Sequence, residues 1–260
     1  MSTVPTCIAL GAKGPAILFL HGIGGDAECF RPQLAHFGRS HRAIAWNMPG
    51  YGGTALLPQT NFPALADAVA QLLDARGIAR VHLVGHSLGG MIAQEFALRH
   101  PGSLASLTLS GTSAAFGRPD SNFQSDFIRQ RLAPLEAGQA MAELAAGLVS
   151  GLIGPTPDPD GMAIALASMS RVPPETYRAA LQCLVAFDRR DALPRIAAPT
   201  LLMAGSADTV APPAMMERMA AKIPVAHFVT ISGAGHLANL EQPATFNRVL
   251  EEFLSGVANG

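Results

Sequence analysis

Residues 80–91 read Arg-Val-His-Leu-Val-Gly-His-Ser-Leu-Gly-Gly-Met, and this stretch decides the fold. Val81, Leu83 and Val84 form a short apolar run, which is typical of a strand buried on both faces of a sheet. The Gly-x-Ser-x-Gly sequence at 85–89 interrupts that run, and residues 91–98 then place apolar side chains at helical spacing. The stretch therefore predicts a strand, a sharp turn and a helix, with Ser87 at the crest of the turn.

A serine at the crest of such a turn has a strained backbone and is exposed as a nucleophile. Gly85 and Gly89 lack the Cβ atoms that would clash in the turn. The start of the following helix also directs backbone N–H groups, including that of Leu88, towards a developing oxyanion. The alternative is that Ser87 only caps the helix. The choice depends on whether a base, an acid and a second oxyanion donor occur elsewhere in the chain.

Composition limits the class of protein. The 260-residue chain is 49% hydrophobic but only 14% charged, against about 25% charged in an average globular domain. Its net charge of −1 gives no reason to expect a nucleic-acid or anionic-membrane partner. The three cysteines are widely spaced, so the sequence predicts neither a disulfide framework nor a zinc site, as is usual in a reducing compartment.

The sequence shows no targeting or membrane-spanning segment. The N-terminal residues lack a basic region followed by an apolar one, and no apolar stretch approaches the roughly 20 residues that span a bilayer. We therefore expect a cytoplasmic protein with a small-molecule substrate and no membrane partner. The oligomeric state is left open.

Strand-like and helix-like segments alternate along most of the chain. Residues 7–10 are a candidate edge strand, buried strands are predicted at 16–20, 81–84 and 199–204, and further strands at 43–46, 104–109 and 225–231. This alternation predicts an α/β fold with a mostly parallel sheet and helices on both faces. Ligands on such sheets bind beyond the carboxyl ends of the strands.

The alternation stops at residues 116–191, which we call the lid. Four helical segments are predicted there, at 122–132, 135–150, 161–170 and 174–187, separated by Pro and Gly clusters. Because strands resume afterwards, we expect a helical insertion that covers the active end of a core formed by residues 1–115 and 192–260. Ordinary outer-layer packing of the same helices is the alternative.

Three further loops follow strands directly. The Gly-rich loop at 21–26 matches no phosphate-binding motif, and it favours a second oxyanion donor. Asp208 and His236 also follow predicted strands. A serine hydroxyl needs an imidazole base, and the imidazole needs a carboxylate that fixes its tautomer. The chain order Ser87, Asp208, His236 therefore favours a catalytic triad.

From about residue 15 onwards the chain resembles the α/β-hydrolase family. The matching motifs are Leu-His-Gly-Ile-Gly-Gly at 20–25, Met-Pro-Gly-Tyr-Gly at 48–52, Gly-His-Ser-Leu-Gly-Gly at 85–90, Ala-Gly-Ser-Ala-Asp at 204–208 and Gly-Ala-Gly-His at 233–236 with Glu-Gln-Pro at 241–243. The resemblance implies the α/β-hydrolase fold, Ser87 as nucleophile, His236 as base and Asp208 as orienting acid. It also implies oxyanion donors from the N–H groups of Ile23 and Leu88, with no metal or cofactor. Asn47 departs from the Asp that relatives carry before the Pro-Gly-x-Gly loop.

Within the family, residues 186–191 and 198–201 resemble 3-oxoadipate enol-lactonases and related small esterases. This resemblance implies a small carboxylic ester or lactone as substrate, although residues 186–191 could instead form the hinge of the lid. If the substrate is anionic, Arg129, Arg131 or Arg189 could pair with its carboxylate.

Two other functions stay open from the sequence. One is a carbon–carbon bond hydrolase or cofactor-free perhydrolase that uses the same triad, although His86 stands where the former often carry Asn. The other is a non-catalytic ligand receptor on a hydrolase scaffold, because a fold alone does not determine function.

Overall fold

A seven-stranded sheet organises the computed structural model, which describes residues 4–117 and 122–258. The strands of the described chain are β1 (Cys7–Leu10), β2 (Ala16–Leu20), β3 (Arg42–Trp46), β4 (Val81–His86), β5 (Leu104–Ser110), β6 (Thr200–Gly205) and β7 (Ala226–Ile231). Their spatial order is β1-β3-β2-β4-β5-β6-β7. Only β1 runs antiparallel to its neighbour, which confirms the predicted mostly parallel sheet.

Helices connect these strands. Within the described residues they are α1 (Arg31–Phe37), α2 (Phe62–Ala75), α3 (Leu88–Arg99), α4 (Phe123–Glu136), α5 (Met141–Ser150), α6 (Pro159–Ser170), α7 (Pro174–Val185), α8 (Pro213–Ala220), α9 (Ala238–Glu241) and α10 (Pro243–Ala258). None of them is long and apolar enough to cross a bilayer. Short 3₁₀ turns occupy Ala27–Phe30, Pro101–Ser103 and Leu193–Arg195.

Strand β2 shows how the sheet is covered on both faces. Ile17 and Phe19 are fully buried in a cluster with residues of α1 and α10. Leu18 and Leu20, which point to the opposite face, are buried with residues of α2 and α3. Since successive strand residues alternate between faces, an uninterrupted apolar strand requires helices on both sides. The prediction of helices on both faces is confirmed.

The centre of the sheet positions the candidate site. Strand β4 lies between β2 and β5 in parallel register and ends at His86. Strands β6 and β7 run parallel to it farther along the sheet. Because parallel strands end at the same edge, the loops that carry Ser87, Asp208 and His236 emerge on one side of the molecule.

The lid lies between β5 and β6 and contains α4 to α7; residues 118–121 lie outside the described residues. Its two ends are paired. Ala115 and Asp188 form an antiparallel bridge, and the N–H of Phe116 donates to the carbonyl of Phe187 at 3.0 Å. The division into a core and a lid domain at these boundaries stays a prediction.

One predicted helix in the lid is wrong. Residues 135–150 do not form a single helix, because α4 continues to Glu136 and α5 begins only at Met141. Gly138 has a φ of +88° and its N–H donates to the carbonyl of Leu135 at 3.0 Å, so it ends α4 in the manner of a left-handed helix cap. Pro134 lies inside α4 and removes one backbone donor from the hydrogen-bond ladder two residues before the helix ends.

Candidate active site

Ser87 joins β4 to α3 in a strained conformation. Its φ of 52° and ψ of −119° make it the sole non-glycine residue with positive φ in the described chain. A Cβ atom on Gly85 would lie 2.4 Å from the carbonyl oxygen of Gly89, and one on Gly89 would lie 2.2 Å from that of Leu20. The turn therefore requires both glycines. The Ser87 side chain makes no capping hydrogen bond to α3, so the helix-cap alternative is wrong.

A chain of hydrogen bonds joins the three predicted residues. The Oγ of Ser87 lies 3.0 Å from the Nε2 of His236, whose Nδ1 lies 2.9 Å from the Oδ2 of Asp208. The other carboxylate oxygen of Asp208 accepts the backbone N–H groups of Val210 and Ala211, each at 2.8 Å. A carboxylate held in this way accepts a hydrogen bond from the Nδ1–H group of His236, so Nε2 carries no proton and can accept the one from serine.

The surroundings of Asp208 keep it ionised. Burial by itself raises the pKa of this carboxyl group, but the hydrogen bond and charge of His236 and the N–H groups of Ala211 and Val210 outweigh that effect. The pKa of Asp208 is therefore below its ordinary value. Asp208 is a carboxylate at neutral pH, as an orienting acid must be.

The two predicted oxyanion donors belong to segments that adjoin Ser87. Leu88 is the first residue of α3, so its N–H has no acceptor within the helix. The loop at 21–26 lies against the turn, because a Cβ atom on Gly22 would lie 3.0 Å from that of Ser87. No described residue accepts a hydrogen bond from the N–H of Ile23, while its carbonyl accepts the Tyr51 hydroxyl at 2.7 Å.

His21 holds the same loop from the core side. Its Nδ1 donates to the carbonyl of Gly22 at 2.8 Å, and its Nε2 accepts the N–H of Met48 at 3.1 Å. Burial lowers the pKa of His21 to about 4, so the ring is neutral and can make both hydrogen bonds at neutral pH. His21 belongs to the motif at 20–25, but the motif alone did not predict its role.

Glu241 supports His236 in a comparable way. Its buried carboxylate accepts the N–H groups of Gly235 at 2.9 Å and Leu237 at 3.0 Å, which flank His236 in the chain. It also accepts the N–H of Gly154, in the lid, at 2.6 Å. The Glu-Gln-Pro motif at 241–243 is the sequence feature from which this role could have been inferred.

A cavity of about 170 Å³ opens beside Ser87 and His236. This is smaller than the roughly 300–1,000 Å³ of pockets for drug-sized ligands, so it suits a small molecule. Every helix of the lid contributes to its wall: Phe127 and Arg131 from α4, Val149 from α5, Met169 from α6 and Tyr177 from α7. Among the described residues, no Asp or Glu lines the cavity and no group of three potential metal ligands occurs.

The three arginines proposed for an anionic substrate differ in position. Arg131 lines the cavity, with its guanidinium 5.3 Å from the centre of the Phe127 ring. Arg129 pairs with Asp126 on the surface of α4, and Arg189 donates to the buried carboxylate of Glu95 at 2.6 Å. Of the three, only Arg131 lies where it can meet a substrate.

Two other predicted segments have structural contacts. Phe187, within 186–191, packs against Phe62 with ring centres 4.4 Å apart, which favours the hinge interpretation of that segment. Asn47 accepts the N–H of Ala27 at 2.9 Å and donates to the Thr6 hydroxyl at 2.9 Å. Asn47 therefore supports the loops and does not line the cavity beside Ser87.

Comparisons with known proteins identify the family and agree with the fold. A family model described as the alpha/beta hydrolase fold matches residues 15–243. 3-Oxoadipate enol-lactonase 1 of Acinetobacter baylyi is 28% identical over 94% of this chain and 90% of its own length. RutD of Variovorax paradoxus, which carries the name carbamate hydrolase, is 33% identical over 95% of this chain and 94% of its own length. A thermophilic esterase from Thermogutta terrifontis superposes with a TM-score of 0.87 at 28% identity, covering 97% of this chain and 93% of that one.

Proposed function

The chain belongs to the α/β-hydrolase family, and from this premise we propose that it is a serine hydrolase of small carboxylic esters or lactones. The observation that carries the proposal is the continuous hydrogen-bonded path from Asp208 through His236 to Ser87, at the edge of a small cavity. The enol-lactonase and esterase names of the relatives support the choice of ester and lactone chemistry.

The first half of the reaction acylates Ser87. As the Oγ of Ser87 attacks the carbonyl carbon, the Nε2 of His236 takes its proton, and Asp208 stabilises the imidazolium. The N–H groups of Ile23 and Leu88 donate to the oxyanion of the tetrahedral intermediate. When the intermediate collapses, the bond to the leaving oxygen breaks and His236 returns the proton to that oxygen.

The second half releases the acyl group. His236 takes a proton from water, the resulting hydroxide attacks the acyl carbon, and the same two N–H groups donate to the second oxyanion. Collapse restores the Ser87 hydroxyl with the proton from His236 and releases the acid. A lactone follows the same path, except that its leaving alcohol stays attached to the acyl group.

The wall of the cavity favours substrates that carry a carboxylate beside an apolar body. Phe127, Val149 and Met169 supply apolar surface, and Arg131 is the cation available to a ligand among the described lining residues. No described Asp or Glu lines the cavity to neutralise that charge. An arginine–carboxylate pair in a partly enclosed site is stronger than a neutral hydrogen bond.

Cleavage of a small carbamate is a second candidate. The 33% identity to the protein named as a carbamate hydrolase favours it, over nearly the whole length of both chains. The chemistry uses the same residues, with a carbamoyl group on Ser87 in place of an acyl group.

The proposal is tested with a fluorophosphonate probe and a panel of substrates. We expect the probe to label Ser87, and the protein to hydrolyse p-nitrophenyl butyrate, a γ-lactone or a p-nitrophenyl carbamate. Ser87→Ala should abolish labelling and lower kcat by about 10⁴-fold or more. Ser150→Ala is the matched control, because it removes an exposed hydroxyl that bonds only within α5. It should keep the labelling and the kcat of the wild type.

Two results would contradict the proposal. An unlabelled wild-type protein without turnover would favour the ligand receptor. Selective cleavage of a dienone acid, with none of the esters, lactones or carbamates cleaved, would favour a carbon–carbon bond hydrolase.

A further inference from the structure

Asp26 ends the loop that carries Ile23, and its carboxylate is directed towards the lid. Its side chain is only 12% exposed. The Oδ2 atom accepts the Nη2 of Arg171 at 2.6 Å and its Nε at 3.2 Å, and the Oδ1 atom accepts the Ser168 hydroxyl at 2.8 Å. Ser168 and Arg171 lie at the C-terminal end of α6. The Oδ1 atom also accepts the nearby N–H of Glu28 at 3.0 Å, but the other partners of this mostly buried carboxylate lie more than 140 positions away in the chain.

Met169, between those two residues, makes a second contact with the same loop. Its Cε atom lies 2.1 Å from where a Cβ atom on Gly24 would be, so α6 rests directly on the backbone of the loop. A Cβ atom at residue 24 would force the flexible end of the Met169 side chain to move. The contacts of Asp26 and Gly24 together seat one turn of α6 on residues 24–26.

The opposite side of the loop is fixed by the core. The Tyr51 hydroxyl donates to the carbonyl of Ile23 at 2.7 Å, and Tyr51 is itself 2% exposed. Ile23 therefore lies between a rigid contact from the core and the ion pair of Asp26 with the lid. The direction of its N–H depends on both, since a small rotation of the loop would turn this donor away from Ser87.

We propose that Asp26 and Arg171 are positioning residues that couple the lid to the oxyanion site. Their ion pair, with the Ser168 hydroxyl, holds the loop so that the N–H of Ile23 faces the reacting carbonyl only while α6 is seated. The inference rests on the proposed function, because it concerns a donor to the oxyanion. It predicts that a contact outside the cavity controls the rate of the chemical step more than the binding of substrate.

The test compares Asp26→Asn, Arg171→Gln and the double variant with the wild type on p-nitrophenyl butyrate. We expect kcat to fall about 10- to 100-fold, somewhat less than the 10²- to 10³-fold cost of deleting an oxyanion donor, and KM to change less than about threefold. The inhibition constant of an alkyl trifluoromethyl ketone, whose adduct with Ser87 places an oxyanion at the same donors, should rise by the factor by which kcat falls. The kcat of the double variant should fall no further than that of the more strongly affected single variant, because both substitutions break the same ion pair.

Two further variants separate positioning from general stability. Arg171→Lys keeps the charge and should recover most of kcat. Arg178→Gln breaks an exposed ion pair with Glu136 that joins two lid helices without touching the loop, and it should leave kcat and the inhibition constant at wild-type values. Thermal unfolding establishes that each variant is folded at the assay temperature; if Asp26→Asn is not, Arg171→Gln carries the test, since its side chain is 53% exposed.

The inference is overturned if folded Arg171→Gln keeps the wild-type kcat, if KM rises with kcat unchanged, or if the inhibitor binds as tightly as to the wild type. Such results in an active enzyme would leave the proposed function standing. If the wild type neither hydrolyses esters, lactones or carbamates nor reacts with the fluorophosphonate, the proposed function and this inference both fail.

Discussion

The carboxyl edge of the sheet and the lid meet at one cavity but contribute to it in different ways. The edge supplies Ser87, Asp208 and His236 from short turns in which backbone sterics leave almost no freedom, as the contacts around Gly89 show. The lid supplies most of the apolar wall and Arg131 from helices that tolerate more change. A Cβ atom on Gly147, in α5, would meet nothing within 4 Å. On the proposed function, the reacting groups are thus positioned by tight backbone turns, whereas substrate selection depends mostly on side chains of the lid.

If the edge of the sheet carries the chemistry, Asp208→Asn should have the largest effect. The amide can still accept the N–H groups of Val210 and Ala211, but it favours the wrong tautomer of His236. We expect kcat on p-nitrophenyl butyrate to fall about 10³- to 10⁴-fold with little change in KM. Steady-state kinetics over pH 6–9 measure this, and a variant within tenfold of the wild type would show that Asp208 does not orient the base.

The steric contrast between the two regions predicts opposite effects of one substitution. Gly89→Ala should lower the free energy of unfolding by roughly 3 kcal/mol or more, or prevent folding, because the new Cβ would lie 2.2 Å from the carbonyl oxygen of Leu20. Gly147→Ala, the matched control within a lid helix, should raise it by about 0.5–1 kcal/mol. Urea unfolding measures both, and equal effects at the two positions would contradict the contrast.

Acid should destabilise the protein through the buried histidines of the sheet region. The lid, residues 116–191, contains no histidine and does not contribute to this effect. Burial lowers the pKa of His21 and His82 to about 4 and that of His86 to about 3. Below about pH 6.5 the unfolded chain binds protons that the folded chain does not, so the free energy of unfolding falls as the pH decreases from 6.5 towards 4. Each histidine contributes up to about 1.4 kcal/mol per pH unit.

His82→Gln tests this gradient, because glutamine can still bond to the Ser106 hydroxyl that lies 2.8 Å from the imidazole. Urea unfolding at pH 6.5, 5.5 and 4.5 should show a gradient smaller by up to about 1.4 kcal/mol per pH unit than that of the wild type. An unchanged gradient would mean that His82 titrates alike in the folded and unfolded chain.

The smallest expected effect is one of selectivity and lies in the lid. Arg131→Gln should raise KM for p-nitrophenyl hemisuccinate about tenfold and leave KM for p-nitrophenyl butyrate within about twofold, since only the former carries a carboxylate. Arg129→Gln, on the surface of the same helix, should change neither. Equal changes for the two esters would show that Arg131 shapes the cavity without recognising charge.

The sequence sufficed where local sterics and strand periodicity act alone. Buried parallel strands are uninterrupted apolar runs, so β2 has the bounds, residues 16–20, that the pattern predicted. Ser87 directly follows such a strand, and Asp208 and His236 lie in the loops after two other strands, which is why the sequence could group them as candidates. The contacts of Asp26 with Arg171 and of Glu241 with Gly154 could not be predicted, since they join residues 145 and 87 positions apart and follow from how the lid docks. The same docking decides that Arg131, rather than Arg129, faces the cavity.

The bridge between Ala115 and Asp188 holds the two segments that connect the lid to the core side by side. An insertion whose ends are neighbours can be exchanged for another of different length or sequence without shifting the register of any strand. A chimaera that received its lid from a relative at this junction would keep the hydrolytic machinery intact while acquiring a new pocket, provided that the incoming segment restores the partners of Asp26 and Glu241.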